Sequence, residues 1–211
     1  MMRKRKTGAS SRIILILFCL QFSLFPSLFD ARAGNMGIFE KTQTRMVNLE
    51  ATYLLHVLKL VQWKEKDLPA TDHPLKCLIV GEDITNFSER FSFLVSESNA
   101  TVSDRNIIVH SMGEMKDALA LARRDKSVVL IVALESAADQ WNKSMYPKRA
   151  GLLFYGQSEK FLGHGMAMCS QISRNRVKIS VNSRKAASKG LTLTPELLSQ
   201  DRIFFVDKKE E

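Results

Sequence analysis

The chain has 211 residues, 45 % of them hydrophobic, enough to bury the core of one domain without covalent staples. Its three cysteines exclude a small disulfide-framework protein. A net charge of +9 invites a nucleic-acid reading, but residues 1–33 hold six Lys and Arg against Asp30, so +5 belongs to that stretch and +4 to the rest, which argues against nucleic acid.

That opening stretch reads as an export signal. Arg3, Lys4, Arg5 and Lys6 form a basic start, residues 13–28 are mostly apolar, and Ala31-Arg32-Ala33 is a small-residue cleavage pattern that would release Gly34. Gln21, Ser23, Pro26 and Ser27 break the apolar run, which falls short of the roughly 20 residues of a membrane span. A lipoprotein signal on Cys19 fails because Phe18 precedes it where a small residue is needed. The expected organisation is a cleaved signal peptide over 1–33, a flexible mature N-terminus over 34–46, one domain over 47–206 and a charged tail over 207–211.

Val47, Ala51, Leu54, Leu58 and Val61 recur at helical spacing, with Glu50, His56, Lys59 and Gln62 assigned to the polar side, and the helix should end near Trp63. Residues 75–81 read as a buried strand closing on Gly81, followed by a helix with Phe87, Phe91, Leu94 and Val95 on one face. A β-branched run at 106–110, a helix marked by Met115, Ala118, Leu119 and Ala122, and an apolar run at 127–132 continue the alternation. Residues 137–146 read as a weaker helix and 151–155 as a fourth strand. Then 166–171 and 177–181, separated by Ser173-Arg174-Asn175-Arg176, give a hairpin signal. A short helix from Arg184 capped by Gly190, and another opening at Thr194-Pro195-Glu196, finish the chain. Alternating helix and strand predict a single three-layer α/β domain: a mostly parallel sheet with helices on both faces and a C-terminal antiparallel hairpin.

Catalytic signatures are missing from this pattern. His56, His73, His110 and His164 have no metal-ligand spacing, neither do the cysteines, and there is no Gly-x-Ser-x-Gly elbow. No metal or cofactor is therefore expected. Gly81, Glu82 and Asp83 follow the first strand, where open α/β sheets collect ligands, although acidic residues beside a helix start read as well as a plain turn. His164 between Gly163 and Gly165 could sense pH or touch a ligand, or simply sit in a tight loop. Arg174, Arg176, Lys178, Arg184, Lys185 and Lys189 form a basic cluster, either a solvated face or a docking patch for an acidic partner. Cys77 and Cys169 lie in strand-like runs and read either as a disulfide or as two buried thiols.

Taken in order, these segments resemble the YfiR-like family of bacterial periplasmic regulators. Residues 51–63 ending in Trp63, and 75–81 ending in Gly81, look like the family's opening helix and first strand. Gly151-Leu152-Leu153, then Phe161-Leu162-Gly163-His164-Gly165-Met166, resemble its strand, loop and glycine pair. Ile179-Ser180-Val181-Asn182, Gly190-Leu191 and Leu197-Leu198 are similar to its closing strand, helix and paired leucines. The resemblance spans 47–205, with Lys64, Ser180 and His164 standing where the family often has proline, an acidic residue and a glycine.

The resemblance implies regulation by binding rather than catalysis. Implied partners are the periplasmic sensor domain of an inner-membrane diguanylate cyclase or sensor histidine kinase, an outer-membrane lipoprotein or receptor, and a second copy in a homodimer. The expected function is repression of such a signalling protein from the periplasm. Glu82, Asp83, His164, Arg174 and Arg176 are the candidate contact residues. A small-ligand sensor with its crevice at Gly81 to Asp83 is the alternative, and a hydrolase assembled only in three dimensions is a third, which the lack of a partnered buried carboxylate or histidine would close.

Overall fold

Two buried apolar runs, Leu75–Val80 (β2) and Val128–Ala133 (β5), pair in parallel at the centre of an eight-stranded sheet. The computed structural model describes residues 26–141, 147–173 and 176–206. Those up to Gln43 form a unit of their own, whose described part is the beginning of helix α1 (Pro26–Leu60); the sheet and its layers belong to the second unit, from Thr44 on. Among the described residues no helix is long and apolar enough to cross a membrane. The basic and apolar parts of the leader fall largely outside the described residues, whereas 34–46 are helical in α1 although the sequence predicts a flexible stretch there.

After α1, Val61–Gln62 (β1) leaves the helix to pair antiparallel with Thr192–Leu193 (β9), two short strands the hydrophobic pattern does not reveal. Helix α2 (Phe87–Glu97) follows β2; Thr101–Val102 (β3) and Arg105–Met112 (β4) then form a hairpin, and helix α3 (Met115–Arg124) leads into β5. The stretch read as a weaker helix is a 3-10 turn at Glu135–Gln140, with 142–146 outside the described residues. Leu153–Gly156 (β6), the short helix α4 (Lys160–Gly163), Met168–Ser173 (β7) and Arg176–Val181 (β8) come next. The chain closes with α5 (Ser183–Ser188), α6 (Pro195–Leu198) and Ile203–Phe205 (β10).

The strand order is β10-β8-β7-β6-β5-β2-β4-β3, parallel from β4 to β7, with β7 and β8 antiparallel as the hairpin signal predicts. Side chains alternate across this sheet and divide the core in two. Leu75, Cys77 and Ile79 face the layer holding Val47, Leu54, Leu58, Phe87 and Phe91; Leu78 and Val80 face Met115, Leu119, Trp141 and Phe161. This is the three-layer α/β architecture.

Candidate functional site

The connections at the sheet's carboxyl ends decide what could bind there. Because β4 lies on one side of β2 and β5 on the other, the strand order reverses at β2, which is where such sheets place ligands. Gly81 takes φ +116°, and a Cβ there would stand 2.6 Å from Ser136 Oγ. Ser136 Oγ also donates to the Glu82 carbonyl at 3.0 Å, so the 3-10 turn lies across the crevice. Asp83 turns both carboxylate oxygens onto α2: it accepts from the Phe87 N–H at 2.8 Å, the Ser88 N–H at 2.7 Å, the Ser88 hydroxyl at 2.6 Å and the Thr85 hydroxyl at 3.3 Å. Burial alone would raise its pKa, but these bonds outweigh it and hold Asp83 below the usual carboxylate value. Glu82 alone of the three projects into solvent.

His164 is exposed at the end of α4, and its carbonyl accepts from Trp141 Nε1 at 3.2 Å. Gly165 takes φ +87°, which is why the segment carries glycine. Arg174 lies outside the described residues; Arg176 is exposed on β8, at the opposite end of the sheet order from β4. Nor is the basic cluster uniformly solvated, since Lys178 lies over the Phe204 ring at 5.1 Å and Lys189 Nζ donates to the Pro147 carbonyl. Candidate contact residues are thus scattered rather than gathered in one pocket.

Most of the motif positions serve the fold. Trp63 is buried in the α1 layer, Asn182 caps α5 by accepting from the Lys185 N–H at 2.9 Å, and Leu191 and Leu197 enter the core while Leu198 stays half exposed. Gly190 takes φ +72°, and Gly151, at φ +71°, leaves only 2.8 Å between a would-be Cβ and Asp67 Cβ. Gly163 meets nothing within 4 Å. Of the two readings of Cys77 and Cys169 the structure agrees with the second: both are free and buried, and they are not paired as a disulfide. Cys77 on β2 and Cys169 on β7 are three strand spacings apart, about 14 Å, against the under ~7 Å that a disulfide needs. Burial pushes both thiols up, Cys169 to about 12.

One polar cluster escapes the sequence reading. Glu50, assigned above to the polar side of its helix, is 3 % exposed and points into the sheet. It accepts from the Ser170 hydroxyl on β7 and from Gln157 Nε2 at 3.1 Å, beside the buried Tyr155 hydroxyl of β6. Burial drives its pKa from 4.5 to about 7, against the opposing pull of those hydrogen bonds, and pushes Tyr155 well above its usual value. Here is the partnered buried carboxylate that keeps a hydrolytic reading open. Its enclosure counts against catalysis: Ser170 is 1 % exposed, and all four histidines lie on the surface. Among the described residues, no group of three His, Cys, Asp or Glu side chains could hold a metal ion.

The fold has relatives among solved structures. A conserved domain protein from Vibrio cholerae matches with a TM-score of 0.50 at 11 % identity, covering 75 % of this chain and 59 % of that one. An ABC domain in complex with L-Trp from Streptococcus pneumonia gives a TM-score of 0.49 at 10 % identity, covering 71 % and 58 %. The chain thus spans less than two thirds of either structure, and its likeness to the Vibrio cholerae protein is one of α/β fold alone. No curated protein matches the sequence. The YfiR/HmsC-like family model, however, matches residues 47–200, from the start of the buried α1 stripe to the end of α6. The chain belongs to the YfiR/HmsC-like family.

Proposed function

We propose that this protein is a periplasmic regulator that binds and represses an inner-membrane signalling protein, a diguanylate cyclase or a sensor histidine kinase, without catalysing a reaction itself. The family match over 47–200 carries this reading, because the family consists of regulators rather than enzymes and the match takes in nearly all of the folded domain. Two further observations support it. Residues 1–33 have the charge, apolar run and cleavage pattern of an export signal. Asp83 and Glu50, the best placed acidic groups, are committed to internal hydrogen bonds.

The same observations favour a protein-binding role over a small-ligand sensor. A crevice at Gly81 to Asp83 would need the 3-10 turn to lift from Gly81 and Asp83 to release α2. Deletion and complementation test the reading. Loss of the protein should raise cellular cyclic di-GMP or the output of a sensor kinase; the full chain should restore the basal level and a version lacking residues 1–33 should not. Unchanged output after deletion, or full rescue by the leaderless version, would overturn the proposal.

A further inference from the structure

At the β8–β10 end of the sheet one of the three layers is missing. Ile203 and Phe205 of β10 pack against the layer that holds α1, in register with Ile179 and Val181 of β8. Alternation therefore turns Phe204 to the other face, together with Arg176, Lys178 and Ser180. Val206 continues the pattern, since its N–H still bonds to the Val181 carbonyl. Among the described residues, the second core layer, with α3, Trp141 and Phe161, takes in nothing from β8 or β10.

The uncovered strip is both apolar and basic. Phe204 and Val206 are 44 % and 43 % exposed. Arg176 and Lys178 are exposed on β8, and Lys178 Nζ stands 5.1 Å from the centre of the Phe204 ring. Gln171 of β7, opposite Lys178, adds a neutral amide. None of these five side chains is acidic, and the Glu159 carboxylate bears on Cys169 of β7, one strand further in. Residues 34–211 carry +4, the +9 of the chain less the +5 of residues 1–33, so the strip has the sign of the domain.

We propose that this strip docks the domain on the surface of an anionic lipid bilayer, with Phe204 and Val206 entering the interface and Arg176 and Lys178 meeting lipid phosphates. Charge complementarity selects an anionic surface over a zwitterionic one. The lysine stem lies along apolar surface while its ammonium stands at the headgroup level, the arrangement of an interfacial anchor. An acidic protein would instead need a pocket for its anchoring side chains, and β10 is the last strand of the sheet, a rim rather than a pocket. Two cations and two apolar side chains give weak, reversible attachment. This inference stands on the strip alone and is independent of the regulatory reading.

Photo-cross-linking to vesicles tests it. A photoreactive aliphatic residue replaces Val206 in the full chain, and, as a control, Ser92, which is exposed on α2 in the opposite layer. With mixed phosphatidylcholine–phosphatidylglycerol vesicles, mass spectrometry should find lipid adducts at position 206 and far fewer at 92; with phosphatidylcholine alone both should be sparse. Reading the adduct at a chosen position keeps the apolar leader out of the signal. Arg176→Glu combined with Lys178→Glu should lower the adduct at least ~tenfold with unchanged circular dichroism. Should that pair fail to fold, Lys178→Gln alone should lower it about fivefold. Absence of lipid adducts at 206, equal adducts at 92 or with phosphatidylcholine alone, or adducts that the folded charge variants leave intact would overturn the proposal. Capture of a protein in place of lipid at 206 in intact cells would overturn it as well.

Discussion

Replacing Glu50 by glutamine gives a thermodynamic test of the buried cluster. The carboxyl has a pKa of about 7 in the fold against a usual 4.5, because burial penalises its charged form more than Ser170, Tyr155 and Gln157 support it. For an acid whose folded pKa is raised, the native state holds the proton more tightly than the unfolded chain. Its contribution is therefore fully present below pH 4.5 and is lost as pH rises through 7. The difference corresponds to roughly 3 kcal/mol at about 1.4 kcal/mol per pH unit. Glutamine keeps the shape, donates where the protonated acid donates, and cannot ionise. Urea unfolding at about pH 5 and about pH 8 should show the wild type losing up to ~3 kcal/mol between them and Glu50→Gln losing far less, so that the variant is the more stable protein at the higher pH. Equal wild-type stability at both pH values, or a Glu50→Gln penalty that does not change with pH, would refute the reasoning.

Other substitutions separate glycines that the fold requires from one it does not. Gly156→Ala would place a Cβ 2.4 Å from the buried Phe161 ring and should cost about 3 kcal/mol in urea unfolding, whereas Gly163→Ala, with nothing within 4 Å, should stay within about 0.5 kcal/mol of wild type. Arg105, 2 % exposed, donates to the Pro69 carbonyl at 2.7 and 3.0 Å and to the Ser103 carbonyl at 2.6 Å, and pairs with Glu65. Arg105→Ala should cost about 3 kcal/mol by the same measurement, and Arg105→Lys should recover only part of it because an ammonium cannot reproduce the fork. Alkylation followed by mass spectrometry should leave Cys77 and Cys169 unmodified in the native protein and label both after unfolding without reductant.

The central architecture was legible because each long element carries its own periodicity. β5 is apolar throughout and β2 apolar but for Lys76, α2 and α3 show apolar stripes, and Gly190 and Pro195 mark helix boundaries. What escaped depends on contacts distant in sequence. β1, β3, β9 and β10 are two or three residues long, too short for a period-2 pattern to register. The separation of Cys77 from Cys169 follows from sheet order, which no local pattern encodes. Asp83 reads in the sequence both as a crevice residue and as an acidic group beside a helix start, and it accepts from the Phe87 and Ser88 N–H groups in the first turn of α2. Glu50 carried a signal too: it stands three residues after Val47 and four before Leu54, inside the apolar stripe, but its charge type suggested solvent. A carboxylate in such a position needs partners from another element, and Ser170 and Gln157 supply them from more than a hundred residues away.

Site-specific photo-cross-linking in intact cells tests the central claim most directly. A photoreactive residue at exposed Ile84, Phe93 or Arg176, on different parts of the domain surface, should capture an inner-membrane cyclase or sensor kinase through its periplasmic domain from at least one position. Recovery of no membrane signalling protein from any of these positions, with the regulator present in the periplasm, would contradict the account.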